Sequence, residues 1–79
     1  MRNINMYEQT PQIVISNPDI LGGTPVFVGT RVPFRIMFEY LETGDSLDVF
    51  LDEFPSVSRA LAIAGLEHAR LSTSHAHSA

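Results

Sequence analysis

Twelve consecutive residues constrain this chain more than any others: Gly22-Gly23-Thr24-Pro25-Val26-Phe27-Val28-Gly29-Thr30-Arg31-Val32-Pro33. They hold three of the five glycines and two of the five prolines, placed on either side of one short run of β-forming residues. Glycine admits backbone angles that a Cβ forbids, and proline fixes φ and removes a donor. The entry to and exit from Val26-Phe27-Val28 are therefore tightly specified. A short strand with a sharp corner on each side is the expected result.

The residues before this stretch supply a partner strand. Gln12-Ile13-Val14-Ile15-Ser16 is β-branched at its centre and stops at Asn17-Pro18-Asp19, a turn signature. Pro25-Val26-Phe27-Val28 forms the second strand, with Pro25 at the start position that needs no ladder donor. Ile20 and Leu21 are expected to tuck under the intervening loop. Residues 1–11 are polar and aperiodic and read as a flexible arm.

After Pro33 the period changes from 2 to 3.6. Phe34, Met37, Phe38 and Leu41 form a stripe, widened by Ile36 and Tyr40, so a first helix is expected over about 33–43, with Pro33 at its first position and Gly44 just past its end. Ser46 caps a short second helix through Leu47, Phe50, Leu51 and Phe54, which Pro55 ends. Ser58 caps a third helix of about 59–70, whose inner side is Leu61, Ala62, Gly65, Leu66 and Ala69. The Ser-, His- and Ala-rich residues 71–79 read as a disordered tail. The expected fold is mainly α: an N-terminal two-stranded β-ribbon followed by a trihelical, helix-turn-helix-like bundle in one domain, 12–70.

Composition narrows function by exclusion. A 79-residue chain buries only about 60% of its unfolded surface, and a two-stranded ribbon is marginal alone, so a homodimer through the ribbon is expected. There is no cysteine, hence no disulfide and no thiolate site, which fits a reducing cytoplasm. No run approaches the length of a membrane span, and no cofactor motif is present. The net charge is −4, with five arginines and no lysine, which disfavours DNA binding by the domain alone and suits a basic protein partner.

Read in order, Ile20-x-Gly22-Gly23-Thr24-Pro25-Val26-x-x-Gly29-Thr30-Arg31-Val32-Pro33, then Leu41-Glu42-x-Gly44-x-Ser46, then Phe54-Pro55-x-Val57-Ser58, resembles the domain-of-unknown-function family 433. The likeness covers roughly residues 12–70; Ala60 and Leu61 stand where an acidic or polar pair is usual. The resemblance implies a small prokaryotic protein with a homeodomain-like bundle. It further implies a VapB-type antitoxin of a type II toxin-antitoxin pair, which neutralises a toxin resembling PIN-domain ribonucleases by direct association. A helix-turn-helix DNA-binding transcriptional regulator, acting on its own operon among other targets, is the alternative.

Each candidate residue has a structural reading beside the functional one. Arg31 either enters a carboxylate-lined site of a partner or pins its own corner by pairing with Glu39, Glu42 or a carbonyl. Arg35 either joins it or sits on a solvated helix face. Phe27, Tyr7 and Ile63 are the candidate apolar anchors of a partner interface. On the third helix Arg59, Ile63 and Arg70 are the candidate DNA contacts, opposed by Glu67. His75-x-His77 is a weak metal pair without a third ligand. Asp45, Asp48, Asp52 and Glu53 form a solvated acidic face, or one that meets a basic partner. No nucleophile, base and orienting group assemble, so no enzymatic activity is expected.

Overall fold

The computed structural model describes residues 12–76. Two strands, β1 (Val14–Ile15) and β2 (Val26–Phe27), precede three helices, α1 (Phe34–Glu42), α2 (Leu47–Glu53) and α3 (Arg59–Ala76). The predicted arm 1–11, with Tyr7, lies outside the described residues, as do residues 77–79.

The ribbon is antiparallel, with Val14 opposite Phe27 and Ile15 opposite Val26. One further bond, from the Val28 N–H to the Ile13 carbonyl, extends it. On its other side β2 meets the corner that leads to α1. The Phe27 N–H donates to the Val32 carbonyl, the Phe34 N–H donates to the Pro25 carbonyl, and Val26 bridges to Pro33. That second ladder changes the role of Pro33. Expected as the first residue of α1, it sits instead at the N-cap with ψ 135°, extended, because the ladder holds it against β2.

A single 3-10 turn, Leu21–Gly23, joins the strands. Leu21 does not tuck under this turn as expected: it stands 46% exposed with φ +50°, a left-handed conformation rare for a branched residue.

Sequence-local chemistry ends and starts the helices. Beyond α1, the Asp45 N–H reaches the Tyr40 carbonyl and the Gly44 N–H reaches that of Leu41, a Schellman closure that needs Gly44 at φ +95°. The Ser46 hydroxyl accepts from the Val49 N–H at 3.2 Å and that of Ser58 from the Leu61 N–H at 3.0 Å. Each caps a helix by satisfying an orphan donor. α3 continues to Ala76, past the expected end near 70. No glycine or proline breaks it there, and the Ser72 hydroxyl points back along the helix to share the His68 carbonyl.

Phe27, Val32, Met37, Phe50, Val57 and Ala62 form the buried core, with half-buried Phe34, Tyr40, Leu61 and Leu66 around it. Aromatic rings run through it in sequence: Phe38 to Phe34 at 5.1 Å, Phe34 to Phe27 at 5.2 Å, Phe27 to Phe50 at 6.1 Å and Phe50 to Phe54 at 5.2 Å. α3 crosses under this row at Gly65. A Cβ built there would stand 2.9 Å from a Phe34 ring carbon and 3.0 Å from one of Phe27. Both rings are held by further rings, so neither can swing aside cheaply. Gly65→Val is accordingly expected to destabilise the domain by about 1–3 kcal/mol, with helix propensity offsetting only a few tenths. A urea midpoint equal to or above that of the unaltered protein would show that the contact is not tight.

Candidate partner-binding surface

Arg31 stands at the corner between β2 and α1, and its neighbours hold it there. Gly29 turns the chain at φ +76°. Thr30 is buried. Its backbone N–H and its hydroxyl both donate to the Phe27 carbonyl, at 3.0 and 2.9 Å, and the hydroxyl accepts from the Val32 N–H at 3.0 Å. The residues on both sides of Arg31 are thus fixed while its own side chain is exposed. Thr30→Val keeps the shape but leaves the buried Val32 N–H without an acceptor. A loss of about 1–3 kcal/mol in urea unfolding is expected, and a change below about 0.5 kcal/mol would contradict the bracing role.

The described residues include four arginines, and three are paired. Arg35 reaches Glu39 at 3.1 Å, Arg59 meets Asp48, and Arg70 presents both Nε and an Nη to one Glu67 oxygen, at 3.0 and 2.8 Å. The hydrogen bonds that Arg70 donates to Glu67, and then the charge of that carboxylate, raise the Arg70 pKa above the ordinary arginine value. All three pairs are exposed and screened by solvent, so none is a substantial source of stability. Their larger consequence is that most of the positive charge is already answered. Among the described residues, only the Arg31 guanidinium has no carboxylate or carbonyl partner. It does not pin the corner by pairing with Glu39 or Glu42; Thr30 does that work through the backbone.

The other sequence-derived candidates separate. Phe27 is fully buried at the centre of the aromatic row and cannot anchor a partner. Both residues of β2 are buried, so neither face of this strand is left to solvent. Ile63 is 45% exposed on the outer side of α3, followed along that helix by Leu71 at 58%. Arg59 and Arg70 flank Ile63 in sequence, each tied to its acidic neighbour. Asp45, Asp48, Asp52 and Glu53 are all exposed, and among them Asp48 is engaged by Arg59. His68 packs its ring edge-on to Phe34 at 6.0 Å. The side chains of His75 and His77 lie outside the described residues.

Sequence reasoning missed an apolar groove of about 390 Å³, lined by Thr24, Pro25, Phe34, Arg35 and Phe38. Phe34 and Phe38 were assigned wholly to the core by their 3.6-residue spacing. Both are only half-buried because the loop at Thr24-Pro25 stops short of covering the start of α1. Periodicity reports the inward direction of a stripe but not how far its cover extends.

The chain is 48% identical over 46 residues to the Uncharacterized protein y4eO of Sinorhizobium fredii (strain NBRC 101917 / NGR234). That match covers 58% of this chain and 21% of the relative, so the chain spans only about a fifth of the curated protein that it matches. No solved structure matches it. The sequence model described as Protein of unknown function (DUF433) matches residues 14–69, from the first residue of β1 into the last helix, and the chain belongs to that family.

Proposed function

We propose that this protein is an antitoxin-like binding module that neutralises a PIN-like ribonuclease toxin by direct association. The observation that carries this reading is Arg31, an exposed guanidinium that has no partner among the described residues, on a corner braced by buried hydrogen bonds. The backbone that carries this fork is already fixed, and the planar guanidinium matches a carboxylate cluster, so that docking costs chiefly the rotamer entropy of one side chain. The catalytic centre of a metal-dependent nuclease is a cluster of that kind, and a guanidinium seated there competes with metal or substrate. The net charge of −4 suits a basic partner surface around such a centre.

The order of α2, turn and α3 supports a second reading, a regulator that lays the outer face of α3 on DNA. The pairing of Arg59 and Arg70 with acidic side chains, together with the acidic net charge, places it second. A toxin bound to the same chain would supply the missing positive charge.

Co-expression with the protein encoded by the adjacent gene tests the first reading. If that neighbour is a PIN-like protein, growth arrest by the neighbour alone, rescue by this chain and co-purification of the two are expected. A toxic neighbour left unaffected by this chain overturns the reading. Shift of the upstream promoter fragment with this chain alone, absent any effect on the neighbour, favours the second.

A further inference from the structure

The two edges of the small sheet are treated differently by the sequence. On the α1 side the edge is closed: Pro33 has no N–H to offer, and its carbonyl accepts from the Ile36 N–H. On the β1 side nothing among the described residues closes it. The register sets which groups face outward there. Ile13 accepts from Val28 and Ile15 lies opposite Val26, so the odd-numbered residues turn their backbone groups toward β2. Val14 lies opposite Phe27, whose N–H points the other way, to Val32. In an antiparallel ladder the N–H and C=O of such a non-bonded position face away from the neighbouring strand. Among the described residues, nothing pairs with those two groups of Val14.

This open edge is also unguarded. Edge strands are commonly protected by lysine, proline, a bulge or an inward charge. Here Gln12, Ile13, Val14, Ile15 and Ser16 carry none, and the three central residues are β-branched and only half-buried. We infer that β1 is an interface for a second copy of this chain, joined edge to edge as an antiparallel pair centred on Val14. The symmetry argues for a second copy over any other occupant. When a strand pairs antiparallel with itself about a two-fold axis, the central residue exchanges both hydrogen bonds with its own counterpart, and Val14 presents one donor and one acceptor outward. The joined ribbons form a continuous sheet of four strands, which removes the marginality of an isolated pair. The inference is independent of the antitoxin reading, since it involves neither Arg31 nor α3.

The test uses the full chain and reads mass by light scattering across a dilution series. The unaltered protein is expected at twice the 8.7 kDa chain mass, dissociating on dilution. Val14→Ala truncates the side chain but keeps the N–H and should still dimerise, whereas Val14→Pro deletes the outward N–H, spares the β1–β2 bonds and should give a folded monomer. In the unaltered dimer the Val14 amide should exchange with solvent at least about tenfold more slowly than in the dilute monomer. This measurement decides the matter even if Val14→Pro fails to fold. A mass of one chain at every concentration overturns the inference, including the case in which the N-terminal arm covers the edge and protects Val14 without dimerisation. A folded Val14→Pro protein that remains dimeric, or an unprotected Val14 amide in a dimer, overturns it equally.

Discussion

Phe27→Ala is expected to abolish cooperative folding or bring the protein to its edge. Removing a fully buried phenylalanine costs about 3–5 kcal/mol, while the total stability of a chain this size is about 4–12 kcal/mol. The cost belongs at the upper end here because no single neighbour can refill the space. Phe34 meets the Phe27 ring edge-on and Phe50 meets it at a tilt, each held by further rings, and Gly65 of α3 offers no side chain to move in. Circular dichroism during urea unfolding reads the result. A surface anchor, which is what the sequence alone suggests for Phe27, would change stability by less than about 0.5 kcal/mol. That smaller value would place Phe27 outside the core and contradict the packing described.

The contrast at Phe27 shows where sequence reasoning holds and where it stops. The three helices were legible because each carries its own local chemistry: Ser46 and Ser58 as caps, Gly44 as the left-handed closure, and apolar residues at 3.6 spacing. The ribbon was legible as a pair of strands, since β-branched runs lie on both sides of turn residues. Which side chains of β2 point inward was not legible. Alternation identifies an inner face only when the other face is wet, and Val26 and Phe27 are consecutive and both buried. The left-handed Leu21 left no mark either, because its strain is set by the turn into Gly22 and not by leucine itself. Beyond residue 70 the Ser- and His-rich composition argued for coil, yet it contains no helix breaker, and α3 runs on to Ala76. For the candidate surface, Arg31 was identifiable from its place between Thr30 and Val32. Its lack of a partner was not, since Glu39 and Glu42 stand close enough in sequence to have taken it.

Arg31→Ala should separate binding from folding. The Arg31 side chain is exposed, and the corner is braced from within by Thr30. The urea midpoint should therefore stay within about 0.5 kcal/mol of the unaltered protein. Binding should suffer far more. Truncating one partner of a buried charge pair costs about 2–5 kcal/mol, equivalent to a rise of about 30-fold to several thousand-fold in Kd. Arg31→Lys keeps the charge but not the planar fork and should recover only part of the loss. Calorimetric titration of the protein encoded by the adjacent gene with the unaltered, Arg31→Ala and Arg31→Lys proteins, each first shown to unfold alike in urea, is the most direct measurement. The expected result is tight binding, weakened strongly by alanine and partly restored by lysine. Equal affinities across the three would contradict the role assigned to Arg31, and a neighbour that binds none of them would remove the antitoxin reading altogether.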